Sequence, residues 1–156
     1  FVYERLTGRE FLHLVGVLFG VPEPARKEKI EKLLDIYNIG GIIDGFVENY
    51  SRGNKQKVSI LSSLLHNPKI LLVDEPIVGL DPESAIKTKE IFLDFAKNNG
   101  TMLLCSHALS FVELIATRIG MLKEGVLIKE GSLDELRREA GKPQAELEEL
   151  YLYFTR

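Results

Sequence analysis

The sequence predicts an α/β fold in which helices come first and part of a parallel β-sheet follows. Two short, continuous apolar runs at residues 70–73 and 102–105 carry this prediction, because they are too short for buried helices of normal length. Between them Asp81 can cap a helix that has Pro82 at its first position. The pattern is a strand–helix–strand unit, and we expect both strands to be buried and parallel.

Helical signals dominate the residues before the first strand. Thr7 and Glu10 have the spacing of a capping box, which predicts a helix starting there. Apolar residues then recur at helical spacing over residues 30–37. A further helix is predicted from about residue 52 to 65, with Ser51 as its cap. The first third of the chain is therefore expected to be helical.

The residues after the second strand predict a smaller mixed segment. Residues 108–116 have a helical pattern, and residues 119–122 and 126–128 flank a turn in the manner of a hairpin. Ser132 and Glu135 form a second capping-box pattern, which predicts one terminal helix rich in acidic and basic residues.

Composition excludes several classes of protein. With 45% hydrophobic and 28% charged residues in 156, the chain is not disordered, collagen-like or a disulfide scaffold. Its net charge of −3 gives no overall attraction to nucleic acid or to an anionic bilayer. The single cysteine, Cys105, favours a reducing compartment, and the longest apolar stretch is too short to span a membrane. The chain begins with Phe1 and has no leader pattern, so we expect it to be part of a longer protein.

Unusual polar residues follow both predicted strands. Asp74 and Glu75 end the first, and Ser106 and His107 come after the second. Ligands of open parallel sheets collect at the carboxyl ends of the strands. Two adjacent carboxylates there are suited to holding a divalent cation with one and orienting a water with the other, although such a pair alone is more often a solvated strand end.

Four motifs occur in a fixed order: residues 50–57 (YSRGNKQK), 70–76 (ILLVDEP), 79–82 (GLDP) and 106–107 (SH). In this order and spacing the sequence resembles the nucleotide-binding domain of the ABC-transporter family, with its signature loop, Walker B strand, D-loop and switch histidine. The resemblance implies a P-loop NTPase-like fold, of which this chain holds a helical subdomain and part of the sheet core. The implied divisions are residues 1–66 (helical subdomain), 67–131 (core) and 132–156 (C-terminal helical extension).

The resemblance also implies roles for single residues. Asp74 would hold Mg²⁺, through water, because hard cations prefer oxygen ligands and the nucleotide phosphates supply the rest. Glu75 would polarise the attacking water. His107 would hydrogen-bond the γ-phosphate of ATP and sense its loss. Glu75 and His107 are thus the implied catalytic residues.

The signature loop is implied to act on the nucleotide of a partner subunit. Ser51, Gly53 and Asn54 lie at a predicted helix start, where free N–H groups and the helix dipole favour a phosphate. Asp81 either caps its own helix or faces the partner at the dimer interface, or both. Arg52 stands where the family has glycine, so either the backbone there is undemanding or the charge adds to phosphate attraction.

No Gly-x-x-x-x-Gly-Lys-Ser/Thr loop occurs in the 156 residues. The resemblance therefore covers about the C-terminal two-thirds of a nucleotide-binding domain. Without that phosphate cradle we expect this chain alone to bind ATP weakly and to hydrolyse it negligibly. In the family the Walker B strand lies beside the strand leading to that loop, so we also expect an uncovered apolar edge that promotes self-association.

The implied function is that of part of the ATP-binding and hydrolysing subunit of an ABC transporter, with ATP and Mg²⁺ as cofactors. Its partners would be a transmembrane permease subunit and a second nucleotide-binding domain, with no nucleic acid, and it would lie on the cytoplasmic face of the membrane. The signature variant and residues 147–151 are also similar to an export-type subgroup. Alternatives are a soluble ABC-type ATPase outside transport and a non-catalytic binding module. Of the first helix, Phe11, Leu14 and Leu18 are expected to be core rather than permease contacts.

Overall fold

A computed structural model describes residues 2–156 and separates the chain into two compact units. The first runs to Cys105 and the second from Ser106 to Arg156. The three divisions implied by the motifs, at residues 66 and 131, remain a prediction about function. The predicted mixture of helices and parallel strands is present.

The first unit begins with helices α1 (Gly8–Leu18), α2 (Glu23–Tyr37) and α3 (Arg52–Leu64), with one 3₁₀ turn (Val47–Asn49) before α3. The capping box predicted at Thr7 is confirmed, with both of its hydrogen bonds present. These helices pack against one another around a common core. Its buried members are Phe11, Leu12, Ile30, Leu33, Leu34, Tyr37, Ile39, Ile43, Val58, Leu61 and Leu65.

The end of α1 departs from the expectation of core. Phe11 is buried and Leu14 is half-buried, but Leu18 is 71% exposed. The prediction was wrong for Leu18 because it is the last residue of the helix. The chain turns immediately afterwards at Gly20, which has a φ of +70°.

The strand–helix–strand prediction is confirmed. Strands β1 (Ile70–Asp74) and β2 (Thr101–Cys105) are parallel, and α4 (Pro82–Lys97) connects them. The register pairs the last residues of the two strands, Asp74 with Cys105. The carboxyl end of β1 is thereby placed at one edge of the sheet.

The expected burial of both strands was wrong. Leu71 is buried, whereas Leu72 is 77% exposed and Leu103 is 63% exposed. The sheet has two strands in the part of the chain that the structure describes, and α4 packs on β2. Alternate residues point to opposite faces of a strand, so one face of this sheet is covered and the other carries exposed leucines.

The second unit contains α5 (Leu109–Ile115), the antiparallel hairpin β3 (Ile119–Lys123) and β4 (Val126–Gly131), and helices α6 (Leu133–Glu139) and α7 (Leu147–Thr155). The capping box at Ser132 is confirmed. The terminal helix that we expected is α6, and α7 follows it as a second helix. Glu113 of α5 accepts a hydrogen bond from the amide of Leu147 at 2.7 Å, which satisfies a donor in the first turn of α7.

Hydrophobic residues of the hairpin, α6 and α7 form the core of the second unit. Its buried members are Ile119, Met121, Leu136, Ala145, Leu147 and Leu150. Among residues 2–156, no helix is both long enough and apolar enough to cross a bilayer.

Candidate functional site

The end of β1 presents the predicted carboxylate pair. Asp74 is the last residue of the strand and is exposed, while the following Glu75 is half-buried. Glu75 has a φ of +45°, in the left-handed region that non-glycine residues rarely occupy. Its amide donates to the carbonyl of Cys105 at 2.9 Å. Such a conformation costs about 1–3 kcal/mol and persists only where surrounding contacts hold it, which is common at functional sites.

The start of α3 has the geometry of a capped helix. The Ser51 hydroxyl accepts a hydrogen bond from the amide of Asn54 at 3.2 Å, and Ser51 is exposed. Arg52 is the first residue of the helix and has no positive φ. The backbone conformation at Arg52 therefore does not require glycine, which explains why arginine can occupy this position.

Gly53, by contrast, is required by its surroundings. A Cβ atom at Gly53 would lie 2.6 Å from the carbonyl oxygen of Gly79. Any side chain there would push the start of α3 away from the loop that follows β1. The side chain of Arg52 also lies against Gly79, close to where a Cβ of that glycine would be.

Asp81 ends this loop and caps α4. It accepts hydrogen bonds from the Ser84 amide at 2.9 Å and the Ser84 hydroxyl at 2.7 Å. The Lys57 ammonium of α3 lies 3.1 Å from Oδ2 of Asp81, the same oxygen that accepts from the Ser84 hydroxyl. The two Ser84 hydrogen bonds, followed by the Lys57 ammonium, hold the pKa of Asp81 well below its usual range. Its capping role is therefore present, and its interface role remains a prediction.

His107 belongs to the second unit. It is exposed and precedes α5, and the neighbouring Ser106 accepts a hydrogen bond from the amide of Ala108 at 3.2 Å. The turn at Ser106 sets the backbone on either side of the histidine. Its contact with a γ-phosphate stays a prediction.

Within the first unit, the structure brings the start of α3 and the loop ending at Asp81 into direct contact. Two residues to which the sequence analysis gave no role make much of that contact: Gln56, which donates to the carbonyl of Pro76 at 3.0 Å, and Lys57. Their partners lie 20 and 24 residues away in the sequence. Their place in the signature stretch was visible, but no local pattern could have revealed those partners.

The end of β1 fits a magnesium ion. No cluster of three or more metal-ligating side chains occurs among residues 2–156. Mg²⁺ at nucleotide sites nevertheless needs only one or two protein carboxylates, because phosphates and water complete its octahedron. Asp74 offers an exposed carboxylate of this kind.

Comparison with known proteins agrees with this arrangement. A family model described as ABC transporter matches residues 2–78. An uncharacterized ABC transporter ATP-binding protein of Nostoc sp. is 38% identical over 139 residues, which cover 87% of this chain and 41% of that protein. The ABC-type transporter ATP-binding protein EcsA of Bacillus subtilis is 30% identical over 155 residues, covering 99% of this chain and 63% of that protein.

A solved structure of an ATP-binding subunit of an ABC transporter matches with a TM-score of 0.94 at 31% identity, over 100% of this chain and 65% of that chain. The chain thus spans 41% and 63% of the lengths of the two curated relatives. The match in structure confirms the P-loop NTPase-like α/β fold expected from the motifs. The order of motifs, the fold and the relatives agree, and the chain is part of an ABC transporter ATP-binding domain.

Proposed function

We propose that this chain takes part in ATP hydrolysis by the ATP-binding subunit of an ABC transporter, and that hydrolysis drives solute movement through a separate membrane permease. The observation that carries the proposal is the carboxylate pair at the end of β1. Asp74 is exposed there, and Glu75 is held in a left-handed backbone conformation. Strain at such a position is typical of residues that contact a reacting group.

Glu75 would orient the water that attacks the γ-phosphate and accept its proton as the bond to the β-phosphate breaks. Asp74 would hold Mg²⁺, through water, and the ion would neutralise charge on the phosphate oxygens. His107 would donate a ring N–H to a γ-phosphate oxygen. The phosphate cradle has no counterpart in the 156 residues, so the proposal gives this chain only these contacts.

The start of α3 would bind the γ-phosphate of ATP held by a second nucleotide-binding domain. Ser51 is exposed at the helix start, and Gly53 contributes a first-turn amide that points along the helix axis. The amide of Asn54 donates to the Ser51 hydroxyl, so Asn54 would contribute through its side chain. Asp81 would face the same partner across the interface. In this arrangement each domain completes the nucleotide site of the other.

The end of α1 would contact the permease on the cytoplasmic face of the membrane. Val17, Leu18 and Phe19 are all exposed there, and together they form an apolar surface at the end of one helix. An exposed apolar surface of this kind favours a protein contact.

Substitution of Glu75 by glutamine in the complete encoded polypeptide tests the catalytic part of the proposal. Glu75→Gln keeps the size of the side chain but removes the base, so ATP turnover should fall about 100-fold or more while ATP binding is retained. Glu90→Gln, at an exposed position of α4, is the control and should hydrolyse ATP at the wild-type rate. Absence of ATP turnover in the wild-type polypeptide, or turnover by Glu75→Gln within twofold of it, would contradict the assignment.

A further inference from the structure

The loop that follows β1, residues 75–81, is attached to α3 at both of its ends. Near its start the Gln56 side chain donates to the carbonyl of Pro76 at 3.0 Å, and Pro76 is buried. At its end the Lys57 ammonium lies 3.1 Å from the carboxylate of Asp81. Neighbouring residues of one helix therefore hold the two ends of the 75–81 loop.

The middle of the loop also contacts α3. Gly79 has a φ of +83°, and its carbonyl oxygen faces Gly53 so closely that a Cβ on Gly53 would lie 2.6 Å away. The methylene groups of Arg52 cover the other side of Gly79. With contacts at the start, middle and end, the 75–81 loop and the first turns of α3 pack as one piece.

The surroundings of Lys57 favour its ion pair with Asp81. Its side chain is only 12% exposed, and its ammonium lies 5.9 Å from the centre of the Tyr37 ring. A charge that is largely removed from water requires a counter-charge nearby, and Asp81 supplies it. The lysine of this pair is thus less exposed than the lysines of the surface pairs elsewhere in the chain, although the Asp81 side chain is 55% exposed.

We propose that Gln56 and Lys57 are positioning residues that hold the 75–81 loop, and with it the carboxylate of Glu75, at a fixed distance from the start of α3. The inference rests on the proposed function, since it takes Glu75 as the residue that orients the attacking water. Glu75 occupies a backbone conformation that glutamate disfavours, and the Gln56 hydrogen bond fixes the residue that directly follows it. A misplacement of a catalytic group by about 1 Å can cost about 100-fold in rate.

A consequence concerns the two nucleotide sites of a dimer. The start of α3 would contact the partner's nucleotide, whereas Glu75 would act on the nucleotide of its own subunit. The contacts between the 75–81 loop and α3 would carry a displacement of α3 at one site to the water-orienting group at the other. Gln56 and Lys57 would be the contacts through which the two sites are coupled.

The first test measures ATP turnover of the complete encoded polypeptide with Gln56→Met, Lys57→Met and Lys57→Arg. Methionine has the length of glutamine and is one atom shorter than lysine, and it removes the polar contact in both cases. Both methionine variants should lower kcat about tenfold and change KM by less than about twofold, because the geometry of the reacting groups and not ATP binding is affected. Lys57→Arg, which retains the charge, should recover kcat to within about threefold of wild type.

Lys87→Met is the matched control, since Lys87 pairs with Glu83 along α4 at 2.7 Å and not with a residue of the 75–81 loop. Its kcat should equal that of wild type. Unchanged kcat in both Gln56→Met and Lys57→Met would overturn the proposal. So would an equal loss in Lys57→Arg and Lys57→Met, because a positioning charge should be replaceable by another.

A second test does not depend on catalysis. Hydrogen exchange of the amides of residues 77–81, measured without nucleotide, should be about tenfold faster in Gln56→Met and Lys57→Met than in wild type and Lys87→Met. Equal exchange in all four proteins would overturn the positioning role. If the wild-type polypeptide hydrolyses no ATP, the proposed function fails, and the exchange measurement alone decides whether Gln56 and Lys57 hold the loop.

Discussion

Tyr37, the last residue of α2, joins two helices through its buried hydroxyl. The hydroxyl lies 2.6 Å from that of Thr88 in α4, and Thr88 in turn donates to the carbonyl of Ser84 at 2.8 Å. Tyr37 is therefore the donor to Thr88. Burial raises the pKa of Tyr37 to about 12, because the charged phenolate is disfavoured away from water.

The Tyr37→Phe variant should reveal this effect as a dependence of stability on pH. A folded-state pKa above the ordinary value of 10.0 contributes stability that is complete below pH 10 and is lost as the pH rises toward 12. At pH 7 the free energy of unfolding of Tyr37→Phe should be about 1 kcal/mol below that of wild type, because a hydrogen bond is missing. Between pH 10 and 12 the free energy of unfolding should fall less in Tyr37→Phe than in wild type. Urea unfolding at pH 7, 10 and 11.5 measures both.

Tyr153→Phe provides the comparison for that series, since Tyr153 is an exposed tyrosine of α7. Its unfolding free energy should follow the wild-type pH profile. A Tyr37→Phe profile parallel to that of wild type across the alkaline range would contradict the role given to the buried hydroxyl.

Among the helices, α3 and α6 begin in the same way. The Ser51 hydroxyl accepts from the Asn54 amide at 3.2 Å, and the Ser132 hydroxyl accepts from the Glu135 amide at 3.3 Å. Both serines therefore stabilise a helix start, but only Ser51 lies in the signature motif. The two helices allow a structural cap to be separated from a cap that also binds phosphate.

Replacement of each serine by alanine should remove about 1 kcal/mol of helix stability. Only Ser51→Ala should also weaken ATP-dependent dimerisation and raise the KM for ATP, because the start of α3 is proposed to contact the partner's γ-phosphate. Thermal unfolding and steady-state kinetics of the complete polypeptide separate the two effects. If KM rose equally in Ser132→Ala, the effect of Ser51→Ala on KM would be explained by lost stability alone, and the proposed phosphate contact would be contradicted.

Helix starts could be predicted from the sequence because a cap hydrogen bond joins residues three apart. Thr7, Ser51, Asp81 and Ser132 were each identified as caps, and each accepts the expected amide hydrogen bond. The start of α7 was missed, since no side chain caps it locally and the amide of Leu147 donates to Glu113, 34 residues away. Local chemistry is readable from a sequence, whereas contacts across the fold are not.

The same distinction applies to the candidate site. The order of motifs identified Asp74 and Glu75 as a pair, because their types and their place after an apolar run are local features. The left-handed backbone of Glu75 and the contacts of Gln56 and Lys57 were not foreseen. They arise where α3 packs against the loop after β1, and that packing follows from the whole unit.

At the scale of the whole molecule, the exposed face of the β1–β2 sheet bears on association of the chain. Leu72 of β1 and Leu103 of β2 are neighbours in the register and are both largely exposed, and Ile70 is exposed beside them. An apolar sheet face of this kind favours association with another apolar surface. We expected an uncovered apolar edge of the sheet, whereas the exposed leucines lie on one of its faces.

The 156-residue chain should accordingly self-associate in solution. Light scattering after size-exclusion chromatography should give a mass above that of one chain, rising with concentration. Leu72→Lys together with Leu103→Lys should restore the monomer, because charges on this face repel one another. Leu127→Lys, at an exposed position of the hairpin, should leave association unchanged. A monomeric wild-type chain at high concentration would contradict this prediction.

The pairing of Asp74 with Cys105 supplies a reporter at the strand ends. Cys105 is exposed, and it is the one cysteine of the sequence. A nitroxide attached to its thiol would need no engineered residue and would lie beside the carboxylate proposed for the metal. Manganese, which accepts the same oxygen ligands as magnesium, would broaden the spectrum of such a probe. Electron paramagnetic resonance could then follow occupancy of the metal site directly during nucleotide turnover.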